Sequence, residues 1–187
     1  SMLTEEPDAY LAQLQAAKLN DDVEVAHYAA TAVAQISKES DLKLQQLERA
    51  FKTDPSAQNL NEYCDFLGEY LCSGLAEGRV AQIQRQQYAR LLARRCERED
   101  TLELRIRYAT ALADVGQIDE AQAVTNQLVL DVPEEQEVWM LCLRLAVMCR
   151  DGDEVHRVID AIDKQHVYLS ADNREKLAFW RDGEEVR

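Results

Sequence analysis

The segment RYATALADVGQIDEAQAVTNQLVLDVP, Arg107 to Pro133, decides the fold. Gly116 ends one helix there, because glycine enters the left-handed backbone region at little cost. Pro133 ends the next, because its ring nitrogen has no hydrogen to give to the helical ladder. Ala109 and Ala121, one in each helix, carry so little side chain that the two helices can approach closely. The segment therefore reads as two short helices joined by a tight turn.

Caps and breakers extend this pattern in both directions. Ten helices are expected, over about 7–19, 23–37, 40–54, 56–73, 79–98, 101–115, 119–131, 134–150, 153–164 and 171–180. Pro7 opens the first, Asn20-Asp21-Asp22 forms a capped corner, and Ser40-Asp41 starts the third. Asp54-Pro55, Gly74, Gly116, Pro133 and Asp151-Gly152 are stops. No window alternates apolar and polar residues long enough to be a strand. The expected class is all-α, with connections short enough to require antiparallel neighbours.

The quoted segment resembles the tetratricopeptide repeat. In that family a small residue in the first helix faces the second helix, a glycine ends the first helix, a D-E-A triplet opens the second, and a proline closes the unit. Ala109, Gly116, Asp119-Glu120-Ala121 and Pro133 stand at those places. A step of 34 residues, the family's repeat length, puts Trp139 at the large aromatic position and Asp153-Glu154-Val155 over the triplet. Toward the N-terminus, Ala50 and Asp54-Pro55 match, and Tyr63 and Cys64 take the large and small sites. The unit following Pro55 is longer than the family's, so its helices should be longer. The resemblance implies a right-handed α-solenoid of antiparallel helical hairpins. Residues 1–55 are expected as an N-terminal cap of HEAT or tetratricopeptide kind, and 56–187 as repeats with a C-terminal capping helix.

VAHYAATAV (25–33), DLKLQQLERA (41–50), NLNEYCDFLGEYLCSGLAEGR (59–79) and QIQRQQYARLL (82–92) together resemble the cytosolic repeat region of PelE-type proteins of bacterial Pel exopolysaccharide synthesis. That resemblance implies membrane helices ahead of the repeats and a role holding a cytoplasmic glycosyltransferase to inner-membrane synthase subunits. Ser1-Met2 reads as a cloning remnant, compatible with a truncation.

Composition limits the function classes. The chain has 187 residues and a net charge of −14, which repels phosphate backbones and anionic lipid, so nucleic acid is not an expected partner. The longest apolar stretch, Val138 to Cys149, is interrupted by Arg144 and too short to span a bilayer, so no direct membrane insertion by these residues is expected. Five cysteines, an odd number without a C-x-x-C pair, suit a reducing cytoplasmic setting. Cys64, Cys72, Cys142 and Cys149 fall at core-like steps and are expected as small buried hydrophobes. His27, His156 and His166 are far apart, and phosphate-binding, nucleophile-elbow and dinucleotide motifs are missing. The carboxylate pairs Glu5-Glu6, Glu134-Glu135 and Glu184-Glu185 stand at exposed ends. No catalytic residue, cofactor or metal is therefore expected.

Carried over by register, the family's groove positions fall on Asn61, Asp65 and Glu69, with Gln58 beside them, then on Ile106, Thr110 and Asp114, then on Met140 and Arg144. Asp65, Glu69 and Asp114 are expected to be free for a partner's Lys or Arg. Between Arg79 and Arg107 eight arginines meet four acids, leaving about −18 on the rest of the chain. Arg79, Arg85, Arg90 and Arg94 form an expected basic face, for an acidic partner patch or a second copy of the chain. The function expected is a non-catalytic interaction scaffold, cytoplasmic or on the cytosolic side of a bacterial inner-membrane protein, assembling a Pel-type synthase. The alternative is a sensor repeat domain that binds a peptide or small ligand and switches a partner.

Overall fold

The computed structural model describes residues 7–182, so Ser1-Met2, Glu5-Glu6 and Glu184-Glu185 lie outside the described residues. It is all-α, and the described residues contain no strand. Nine helices follow one another: α1 (Pro7–Ala17), α2 (Val23–Thr53), α3 (Ala57–Cys72), α4 (Gly78–Cys96), α5 (Leu102–Asp114), α6 (Ile118–Asp131), α7 (Gln136–Cys149), α8 (Gly152–Lys164) and α9 (Ala171–Asp182). The chain divides into two compact units, one reaching to Leu91 and one starting at Leu92.

In the first unit α2 packs against α1 and α3. Asp22 caps α2 by accepting from the backbone N–H of Glu24 at 2.9 Å, and Ser56 caps α3 by accepting from Asn59 at 3.3 Å. α2 runs unbroken for 31 residues, where two helices were expected. The reason is local. Lys38 and Glu39 favour helix, no Gly or Pro intervenes, and the Gln35 amide donates to Glu39 at 2.6 Å across the expected gap. Asp41 caps nothing; its carboxylate accepts from the Tyr70 hydroxyl on α3 at 2.7 Å. Burial, then Asp41 itself, pushes that hydroxyl up to about 12. Phe51 and Tyr63 pack with ring centroids 6.1 Å apart. A side chain on Gly68 would meet the Tyr88 hydroxyl at 2.8 Å, so glycine there admits α4 against α3.

The second unit repeats itself. Leu102 and Gln136 open α5 and α7, and Ile118 and Gly152 open α6 and α8; each pair is 34 residues apart. The turns repeat too. After α5, Gln117 N–H bonds Leu112 O at 2.9 Å and Gly116 N–H bonds Ala113 O at 3.0 Å. After α7, Asp151 bonds Ala146 and Arg150 bonds Val147, both at 3.0 Å. Gly116 has φ +79°, and Arg150, its counterpart 34 residues on, has φ +56° without being a glycine. The 13 and 14 residues of α5 and α6 contrast with 16 and 19 in α3 and α4, the lengthening expected for the earlier pair.

Two apolar clusters hold this unit together. Ala109, Leu112 and Ala113 of α5 meet Ala121 of α6 and Leu141 and Leu145 of α7, with Ala109 and Ala121 wholly buried. Trp139, Leu143 and Ala146 of α7 meet Val155, Val158, Ile159 and Ile162 of α8 and Leu177 of α9. The Trp139 indole N–H donates to the Pro133 carbonyl at 2.7 Å, which fixes the entry to α7. The cysteines depart from expectation in part. Cys64 is buried and Cys142 half-buried, but Cys72 and Cys149 end their helices exposed, where the last turn has no neighbour to cover it.

If α2 is continuous, Lys38→Pro, at an exposed position, should lower unfolding stability by about 3 kcal/mol. In a two-residue linker it would change it by about 0.5 kcal/mol or less. Urea denaturation distinguishes the two. Arg150→Gly should raise stability by about 1 kcal/mol, because a left-handed non-glycine residue is relieved. Gly116→Ala should lower it by about as much.

Candidate functional site

α7 presents a third face between its two buried ones. Met140, Arg144 and Val147 follow one another at helical spacing along it. They line a cavity of about 420 Å³ with Ile106 and Thr110 of α5 and with Asn173, Lys176 and Trp180 of α9. The floor is apolar, made by Ile106, Met140, Leu143 and Val147, while Arg144, Lys176 and Glu137 bring charge to the rim.

A hydrogen-bonded corner ties α9 to α7. The Gln136 amide oxygen accepts from the Ser170 N–H at 2.8 Å and from the Asn173 amide at 3.1 Å. The same amide donates to Glu137 at 3.2 Å. Asn173 is only 6% exposed, so these bonds replace water that its amide has lost. Glu137 is thereby held at the cavity wall.

The expected groove residues fare differently. Thr110, Met140 and Arg144 come together on this cavity. Asp114 does not stand free: its carboxylate accepts from the Arg144 guanidinium at 2.5 Å, linking α5 to α7. Arg144 thus reaches the cavity with its charge already partnered. On α3, Asn61 and Asp65 are half-buried and Glu69 is exposed, and Asp65 is engaged within the fold. Arg79, Arg85, Arg90 and Arg94 are all exposed on α4. Other arginines of the basic stretch pair locally: Arg105 with Asp131 of α6 at 2.6 Å, Arg107 with Glu103, and Arg95 with Glu99. The Arg105 guanidinium, with the Gln127 amide, holds the Asp131 carboxyl below the usual carboxylate range.

The α9 wall escaped the sequence. Ile106 and Met140, like Thr110 and Arg144, are 34 residues apart, but Met140 and Lys176, and Arg144 and Trp180, are 36 apart. The longer connection after Lys164 moves the register by two, so a step of 34 lands on Arg174 and Ala178 instead. The signal was Ser170, whose hydroxyl accepts from the Asn173 N–H at 3.3 Å and so marks where α9 begins.

Among the described residues no three His, Cys, Asp or Glu side chains are grouped to hold a metal ion. His156, considered beside Asp153 and Asp160, has its Nδ1 2.6 Å from the Gly152 carbonyl. Burial pushes the Cys142 thiol up to about 12, which leaves it protonated at neutral pH. No described helix is long and apolar enough to cross a membrane. Compared with family models, curated proteins and solved structures, the chain matches none.

The Asp114–Arg144 pair is half exposed at both ends, so its coupling should be small. A double-mutant cycle with Asp114→Ala and Arg144→Ala, followed by urea unfolding, should give about 0.3–1 kcal/mol. A coupling near zero would mean that the pair does not join α5 to α7 in solution.

Proposed function

We propose that this chain is a non-catalytic scaffold for protein–protein interaction. It is built as a right-handed α-solenoid of antiparallel tetratricopeptide-like hairpins, and the face formed by α5, α7 and α9 receives a segment of a partner protein. The observation that carries this is the meeting of Thr110, Met140 and Arg144, three residues spaced by the 34-residue recurrence, on one apolar-floored cavity. The recurrence of helix starts and turn hydrogen bonds, together with packing of α5 on both α6 and α7, supports stacked hairpins. An apolar floor with a charged rim suits a side chain that anchors an extended segment while its neighbours meet the rim.

The most concrete version is assembly of a Pel-type exopolysaccharide synthase at a bacterial inner membrane, with the cytoplasmic glycosyltransferase and synthase subunits as partners. Its support is the sequence resemblance over residues 25–92. A cavity near 420 Å³ also suits a small ligand, which keeps a sensor domain as the second reading.

Mixing the chain with the cytoplasmic glycosyltransferase of a Pel-type system should give a stable complex on size-exclusion chromatography. Met140→Asp should weaken it about tenfold or more, as loss of a central apolar anchor does. No complex with that enzyme or with synthase subunits would end the Pel version. A complex indifferent to both Met140→Asp and Trp180→Ala would remove the groove. A thermal shift with a peptide or nucleotide, and none with these proteins, would select the sensor.

A further inference from the structure

α4 carries a surface that the groove does not use. Its sequence from Gly78 to Cys96 contains no Asp or Glu and five arginines, in a chain of net charge −14. Within the first unit, Arg79, Ile83, Gln86 and Arg90 follow at steps of four, three and four, which places them in one row along the helix. All four are exposed, and Val80 flanks them. Ile83 is 56% and Val80 57% exposed, so two branched apolar side chains lie in water between guanidinium groups.

These arginines differ from the others. Arg105, Arg144, Arg157 and Arg181 each meet a carboxylate on their own or a neighbouring helix. No ion pair among the described residues involves Arg79, Arg85 or Arg90. Their charges repel one another along a helix that offers no compensation, and only an external anion relieves this. The apolar pair selects among anions, since Ile83 and Val80 gain only if the bound body brings apolar surface to cover them. Arg79 to Arg90 spans about 16 Å of helix axis, three turns. A nucleic acid or anionic membrane extends far beyond that span and would meet the strongly acidic remainder of the chain.

We propose that the outer face of α4 is a docking surface for an acidic amphipathic helix of a partner protein, with carboxylates on Arg79 and Arg90 and an apolar residue over Ile83. The surface is independent of the groove and of the repeat reading.

The probe is a labelled helical peptide of about five turns, with Glu on one face and Leu at its centre, titrated against the full chain by fluorescence anisotropy. It should bind, and the affinity should fall about tenfold or more in Arg79→Glu/Arg90→Glu, as loss of two charge pairs predicts. Ile83→Ser should weaken binding severalfold without changing its salt dependence, which separates the apolar contact from charge alone. Arg79→Gln/Arg90→Gln gives the same test with less perturbation, and far-UV circular dichroism confirms that each variant folds. Met140→Asp should leave peptide binding unchanged, so failure of this surface and failure of the groove are distinguishable. The proposal is overturned if the peptide does not bind, or binds equally to Ile83→Ser. It is also overturned if single-stranded DNA or phosphatidylserine vesicles bind more tightly through the same arginines. Concentration-dependent dimers lost in Arg90→Glu would replace the partner with a second copy and overturn it as well.

Discussion

α7 is wedged between two apolar clusters, and the second unit depends on that wedge. Trp139, Leu143 and Ala146 point to one side, Leu141 and Leu145 to the other. A helix buried on two opposite flanks reads as apolar nearly all round, and the run from Val138 to Cys149 is broken only at Arg144. The face left over, Glu137, Met140, Arg144 and Val147, becomes the cavity wall. Packing therefore creates the site: once two flanks are committed to neighbours, the remaining residues have no other place to face.

Close approach on either side makes the wedge possible. Ala109 and Ala121 remove the bulk that would hold α5 and α6 apart, and Val155 takes the place of Ala121 one repeat later with its branched side chain still buried. The turns do the rest. Gly116 adopts the left-handed conformation freely, while Arg150 adopts it against its own sterics, because the hydrogen bonds to Ala146 and Val147 require the chain to turn there. The same geometry reached by a favourable and an unfavourable residue indicates that packing, not local preference, sets the repeat.

Much of this was legible in sequence, for identifiable reasons. Gly116, Pro133 and Pro55 act through backbone sterics, which need no tertiary context, and the helix ends near them were readable. Ser40-Asp41 misled because capping residues permit a helix start without forcing one, and a tertiary hydrogen bond from Tyr70 claimed the Asp41 carboxylate. Cys72 and Cys149 occupy core-like steps, but whether a helix's last turn is covered depends on its neighbour. The Asp114–Arg144 pair joins residues 30 apart and required knowing that α5 packs on α7. The α9 wall needed the true length of the connection after Lys164. Periodicity within elements was visible, and register between them was not.

Amide hydrogen exchange on the free chain tests the wedge most directly. Amides in the centre of α7, from Leu141 to Ala146, should exchange only through global unfolding of their unit, at the slow limit shared with the buried faces of α5 and α8. Exchange of α7 ahead of both neighbours, by local opening, would contradict the account, because a helix that frees itself so readily is not what holds α5, α8 and α9 together.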